Sequence, residues 1–333
     1  MNKNNKTLII AEIGNNHEGS YANAKKLVKA AINSGADAIK FQSINPEKLY
    51  DASHKERINK LKSFNLKDYQ IRELHNYCKK NKTIFFSTPF DFETANKLNK
   101  FQKYFKISSS DNNYLDFIIH ILFFKKKTLI STGMLTLDEV DKNLIKPLVK
   151  KFGKKYISKY VTLMHCVSKY PVEFDLSNIF RISKMKERFN YVDIGYSDHT
   201  VGIDASVYSV LLGAKVVEKH FTLDNDFSDF RDHKLSLNPL NFSKLVNKIR
   251  KINILMENFT ENIHREEEKN IKLFRRSLVA NKDLAVNQSI GKNNTSWLRP
   301  GDGISFNNFV SIKGKKLKKN VKKNNKIYTK NIK

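Results

Sequence analysis

Cysteine is nearly missing: Cys78 and Cys166 are the only two in 333 residues, too few for a disulfide framework and in keeping with a reducing compartment. Long apolar runs are missing as well. No stretch approaches the roughly 20 consecutive apolar residues that a membrane-spanning helix needs. The first apolar run, after the polar start MNKNNK, is broken at Glu12 before it could serve as a secretory signal core. Zinc-finger spacing, leucine-zipper heptads and RNP-type aromatic motifs are absent too. The expectation is a soluble, cytoplasmic protein with no membrane partner and no specific nucleic acid partner.

Acidic residues are scarce beside basic ones, 33 against 61, for a net charge of +28. The excess is spread along the chain, as in KERINKLKSFNLKDYQ, and clusters only in the tail KGKKLKKNVKKNNKIYTKNIK. There lysines alternate with apolar positions, so the tail reads as a folded edge, and the charge reads as a lysine-rich solvated surface. At 40% hydrophobic residues, the chain can bury one large α/β domain and a small second one.

Eight short apolar or β-branched runs follow one another: LIIAEIG, DAIKFQS, TIFFSTP, YFKISSS, KTLISTG, VTLMHCV, YVDIGYSD and AKVVEKHF. Helical patterns such as YANAKKLVKAAINSG separate them, several ending at a glycine suited to a C-terminal cap. Strand and helix alternating eight times is the pattern of a (β/α)8 TIM barrel. An open doubly wound sheet is the alternative, and it rarely uses so many equivalent strands.

Each run ends in polar residues: Glu12, then Lys40 and Gln42, Ser87 and Thr88, Lys106 and Ser109, Ser131 and Thr132, His165 and Ser168, Ser197 and His199, Glu218 and His220. In a barrel these C-terminal ends converge on one mouth, where such enzymes keep their active sites. A side-chain period of two points Glu218 and His220 inward together and Lys219 toward the helix layer. His199 and His220, on neighbouring strands, can reach one divalent ion, with Glu218 holding a water or orienting a ligand. Lys40 and Lys106, with Ser109, Ser131 and Ser197, offer cations and hydroxyls for a phosphate and a carboxylate.

Beyond these readings, the segments AEIGNNHEGS, AIKFQS, FSTPFD, FKISSSD, LISTGM, HCVSKYP, GYSDHTVG and EKHFTLD, followed by RRSLVA and WLRPGDG, closely resemble the sialic acid (N-acetylneuraminate) synthase family, which includes legionaminic and pseudaminic acid synthases. The resemblance covers nearly the whole chain. It implies a barrel over 1–260, a linker over 261–270 and a small antifreeze-like (SAF) domain over 271–333. It also implies a transferase that condenses phosphoenolpyruvate with an N-acylated hexose, such as N-acetylmannosamine, to a nine-carbon 2-keto acid and phosphate. By the same resemblance His199 and His220 bind Mn2+ or Mg2+, and Lys40, Lys106, Ser109, Ser131 and Ser197 hold phosphoenolpyruvate. Gln42, Tyr170 and Asp232 lie nearer the sugar, and Glu12 and Glu218 match acidic active-site residues. Arg299 is implied to enter the site of the other subunit of a domain-swapped homodimer.

The chain departs from that pattern at Ser168, where members making N-acetylneuraminate tend to carry Asn, and in SDFRDHKLSL, where Arg231 precedes Asp232 in place of a Gly-Pro pair. The product stays open between N-acetylneuraminate, legionaminate and a related sugar. An alternative from the residues alone is an aldolase with Lys40 or Lys106 as a Schiff-base lysine.

Overall fold

A computed structural model describes residues 6–230, 232–257 and 259–333, in two compact units that divide between Glu257 and residue 258. The first unit carries eight parallel strands: β1 (Leu8–Gly14), β2 (Ala38–Ser43), β3 (Ile84–Pro89), β4 (Tyr104–Ile107), β5 (Lys127–Ser131), β6 (Val161–Cys166), β7 (Asp193–Asp198) and β8 (Val216–His220). They pair in the order β3-β2-β1-β8-β7-β6-β5-β4, and β3 and β4 lie against each other without a paired ladder, which makes a nearly closed barrel. All eight runs read from the sequence are strands, each trimmed by a residue or more at one end or both except β1. No helix among the described residues is long and apolar enough to cross a membrane.

Period-two alternation sorts each strand into an inner and an outer row. The inner rows stack in layers: Leu8, Ile84 and Tyr104 at the N-terminal end, then Ile10, Ala38, Phe86, Leu129, Met164 and Val216 in the middle. Met164 reaches across only because residue 195 is glycine, where a Cβ would stand 2.4 Å from its sulfur. The next layer toward the C-terminal ends is polar. The outer rows pack on the helices; the helix Tyr21–Asn33 buries Ala24, Leu27, Val28 and Ala31 at helical spacing, and its Ser20 cap accepts from Asn23 N–H at 3.2 Å.

Parity also decides which charges leave the barrel interior. Lys219 points to the helix layer, fully buried, and its ammonium donates to Asp198 Oδ2 at 3.0 Å and to the Thr200 carbonyl. Asp198 further accepts from the Tyr196 hydroxyl at 3.2 Å, from Thr200 N–H and hydroxyl at 2.8 Å each, and from the Ser206 hydroxyl. Burial pushes the Asp198 carboxyl up, but Lys219, Ser206 and Thr200 outweigh it and hold the carboxyl below its ordinary 3.8. Its contribution to stability is therefore fully present above pH 3.8 and is lost as the pH falls through the lower folded value. Lys219→Met is expected to cost about 3–5 kcal/mol in denaturant unfolding at pH 7, because it strands a buried carboxylate. A loss below about 1 kcal/mol would remove Asp198 from the list of ionised groups.

The second unit holds the helix Arg265–Phe274 and the antiparallel pair β9 (Ser277–Ala280) and β10 (Thr295–Leu298), with Trp297 opposite Leu278. The expected linker over 261–270 runs into the helix Arg265–Phe274, and the two units divide between Glu257 and residue 258. Three glutamates in that helix's first turn complement its dipole and carry the pattern past Ile271. In the basic tail Leu317 and Val321 are buried and bridge to Ile332 and Leu284, with the lysines around them exposed, so the tail is a folded edge.

Candidate active site

The polar layer is built by strand register. Glu12 stands opposite Lys40 on one side and His220 on the other, and Ser197 stands opposite Glu218. Side chains of the inner row consequently meet head to head. Lys40 Nζ lies 2.8 Å from Glu12 Oε1 and 3.8 Å from Glu218 Oε2, and donates to Thr88 Oγ1 at 3.2 Å. Lys106 Nζ donates to Glu218 Oε1 at 2.7 Å, and Ser197 donates to the same oxygen at 2.8 Å. Gln42 donates to Glu12 at 3.2 Å and accepts from Asn15 at 3.1 Å.

The two carboxyls, buried this deeply, do not titrate alike. Burial pushes the Glu12 carboxyl above its ordinary value; Lys40 opposes this without overcoming it, and Glu218 reinforces it. Burial acts on Glu218 in the same sense, but Lys106 and Lys40, with the Ser197 hydroxyl, outweigh it and hold that carboxyl well below the usual range. Burial disfavours the Lys40 ammonium, yet Glu12 and Glu218 outweigh it and raise its pKa. Two ammoniums and two carboxyls thus share the mouth, and of the two carboxyls Glu12 holds a proton more readily than Glu218 does.

Beside this cluster stand the two histidines, ring centroids 5.4 Å apart. Tyr170 lies over His199 at 4.1 Å and edge-on to His220 at 6.2 Å. His199 Nδ1 is 2.8 Å from the Val167 carbonyl and carries a proton there, so Nε2 is the nitrogen it can offer a cation; burial disfavours the charged ring, but Cys166 and the Val167 carbonyl outweigh it and hold its pKa above the ordinary value. Burial, with help from His199 and Lys40, drives His220 well below the ordinary histidine value, so its ring is neutral. Its Nδ1 is 3.9 Å from Asp232 Oδ2 and has no hydrogen-bond partner. His199 Nε2 and the unpartnered Nδ1 of neutral His220 are nitrogens of the kind that ligate a divalent cation. No third His, Cys, Asp or Glu joins them as a ligand set among the described residues.

Gly133 brings the serines together. A Cβ there would stand 2.5 Å from Ser168 Oγ and 2.6 Å from Ser109 Oγ, so both hydroxyls crowd this one glycine. Ser131 is buried two residues earlier. The residues expected at the mouth thus gather there: Glu12, Lys40, Gln42, Lys106, Ser109, Ser131, Ser168, Tyr170, Ser197, His199, Glu218, His220 and Asp232. Arg299 belongs to the second unit, exposed, with its guanidinium 5.7 Å from the Phe274 ring centroid. Arg231 lies outside the described residues.

Two strand-end residues are not where the sequence reading put them. Ser87 faces the helix layer and bonds Ser43 at 2.7 Å, and His165 faces the same way, 3.0 Å from the Ser177 carbonyl and stacked on Tyr196. Both sit one residue off the inner parity. That parity also shows what the reading missed: Cys166, two residues after the inward Met164, is buried 3.9 Å from His199 Nδ1. Asn15 and Asn112 had no periodic signal, since both lie in loops.

A nearly closed parallel barrel with buried ammoniums, carboxylates and paired imidazoles at its C-terminal mouth is an enzyme of the barrel class. The NeuB family model matches residues 27–261 and the SAF domain model residues 275–333. The chain belongs to the NeuB family and is a carbon–carbon bond-forming transferase of the N-acetylneuraminate synthase type. It is 38% identical over 331 residues to N,N'-diacetyllegionaminic acid synthase of Campylobacter jejuni, spanning 95% of this chain and 97% of that one. Identity to the pseudaminic acid synthase of the same organism is 32% over 336 residues, with 97% and 95% covered. Among solved structures, the N-acetylneuraminic acid (sialic acid) synthetase of Leptospira borgpetersenii in complex with citrate aligns with a TM-score of 0.72 at 28% identity, covering 80% of this chain and 90% of that one.

Proposed function

We propose that the mouth binds phosphoenolpyruvate and an open-chain N-acylated hexose and joins them into a nine-carbon 2-keto acid. The observation that carries this reading is a set of buried polar atoms with no hydrogen-bond partner: Oε2 of Glu12 and of Glu218, Oγ of Ser109 and Nδ1 of His220. Buried polar groups are normally satisfied, so four orphans at one mouth mark a place built for a polar ligand.

Lys40 and Lys106, with Ser109, Ser131 and Ser197, hold the phosphate and carboxylate of phosphoenolpyruvate. Gln42, Tyr170 and Asp232 orient the sugar, with Ser168 at the junction of the two. His199 and His220 would hold Mn2+ or Mg2+, which when bound supplies Lewis-acid polarisation of the sugar aldehyde. C3 of phosphoenolpyruvate forms a bond to the aldehyde carbon, and water adds at C2. The C2–O bond to phosphate then breaks, releasing phosphate and leaving the 2-keto acid. The two ammoniums lie fixed where negative charge is held throughout, which lowers the barrier without covalent catalysis. Glu12, whose carboxyl retains a proton more readily, is the group suited to exchange protons with the sugar oxygen or the water; ionised Glu218 keeps both lysines in place.

The Schiff-base alternative is disfavoured by the charge state of Lys40. A lysine nucleophile needs a lowered pKa, and Lys40 is raised by its two carboxylates. Incubation with phosphoenolpyruvate and a panel of N-acylated hexoses should release phosphate in step with a 2-keto acid. A borohydride-trapped pyruvate adduct, or phosphate release independent of sugar, would replace this reading.

One kinetic consequence separates the two substrates. Lys106→Ala is expected to raise KM for phosphoenolpyruvate by about tenfold to a hundredfold, with the sugar KM changing less than about threefold. Equal effects on the two would sink the role given to Lys106.

A further inference from the structure

β4 carries Lys106 and the loop after it Ser109, β5 ends at Ser131 and the loop after it carries Gly133, and the β4–β5 ladder stops at Ile107 and Ile130. Beyond that ladder something else must fix the distance between the two loops. The group that does so is Asn112, buried just after the turn Ser109–Asp111. Its amide Nδ2 donates to the Ser131 carbonyl at 3.1 Å and to the Gly133 carbonyl at 2.8 Å, both buried. One side chain thus uses both its amide protons on the two carbonyls that flank Thr132.

The consequence for the loop is directional. Thr132 N–H and its hydroxyl are both taken by the Met164 carbonyl, at 2.9 and 3.1 Å. With the Gly133 carbonyl turned onto Asn112, the N–H of the same peptide, that of Met134, points the opposite way. Met134 holds a left-handed φ of +64, uncommon for a side chain of its kind. Backbone held in such a region against local preference is fixed by its surroundings, and such places cluster at ligand sites. The same clamp presses Gly133 against Ser109, whose buried hydroxyl has no partner.

We propose that Asn112 is the positioning residue of the anion cradle. By tying the β4 loop to the β5 loop it sets Ser109, Ser131 and the backbone at Gly133 and Met134 at the spacing that receives phosphoenolpyruvate. The inference rests on the condensation reading above and adds a residue to it that touches neither substrate. Its effect is confined to one of the two substrates, because the sugar residues Gln42, Tyr170 and Asp232 come from other elements of the barrel.

The test uses the full-length protein with Asn112→Asp, which keeps the shape but sets carboxylate oxygen against two carbonyls, and Asn112→Ser, which keeps one donor. Phosphoenolpyruvate binding is measured by calorimetry and both KM values by steady-state kinetics, with thermal unfolding alongside. Asn112→Asp should weaken phosphoenolpyruvate binding and raise its KM by roughly tenfold or more, with the sugar KM within about twofold of wild type, and Asn112→Ser should fall between. If Asn112→Asp does not fold, Asn112→Ser alone is decisive, on the same comparison with a smaller shift. Variants that unfold at lower temperature but bind phosphoenolpyruvate as wild type does, or that raise both KM values equally, would reduce Asn112 to a structural tie and overturn the proposal. Should wild-type protein itself fail to bind phosphoenolpyruvate, the condensation reading falls first.

Discussion

Removal of divalent metal is expected to cut turnover by roughly a thousandfold or more, and manganese or magnesium to restore it. The reasoning is local to two side chains. His199 spends its Nδ1 proton on the Val167 carbonyl, so Nε2 is the nitrogen it can offer a cation once that position gives up its proton. His220 is buried, neutral and has an unpartnered Nδ1. A neutral buried imidazole with a bare nitrogen, as His220 is, costs free energy unless something occupies it, and the His199 ring 5.4 Å away places a second imidazole beside it. Each of His199→Ala and His220→Ala should lose both bound manganese, read by spin resonance on the dialysed protein, and turnover. If both variants keep full activity in chelator, the two histidines are not ligands.

The second large effect concerns Arg299, which we propose completes the sugar site of a partner subunit. Arg299→Ala and His220→Ala should each be nearly inactive as homodimers. Mixed under conditions of subunit exchange, random pairing puts half the chains' sites in hybrids, where one site has both defects and the other has neither, so about a quarter of all sites should recover. Arginine is suited to this because its planar fork reads carboxylate or hydroxyl pairs two bonds at a time. Demonstrated exchange without recovered activity would refute the arrangement, as would normal turnover by a chain ending at Glu257. The bland account, one more surface cation in a chain of net charge +28, predicts no loss from Arg299→Ala at all.

The eight strands were legible because each is a short apolar run closed by polar residues, and because a barrel repeats the same signal eight times. The site was legible for the same reason: Lys40, Lys106, Ser197, Glu218 and His220 fall on inward positions of strands whose ends converge. Parity counted from Met164 would have put Cys166 inside and His165 outside, so that exchange was readable but not read. The charged segment before Ile271 is helical, with glutamates in its first turn, and belongs to the second unit, a membership that composition does not decide.

By itself, then, the sequence determined the barrel, the end of it that carries chemistry and the parity that splits Glu218 and His220 from Lys219, since all three follow from periodicity along one strand. Tertiary structure decided who pairs with whom. That Glu218 balances both Lys106 and Lys40 and so stays ionised, while Glu12 is pushed up, depends on register across four strands and on shared burial, neither of which is a property of any segment. The same holds for Asn112 reaching Ser131 and Gly133: a loop side chain has no period to betray it, and its partners are backbone carbonyls, which every residue carries.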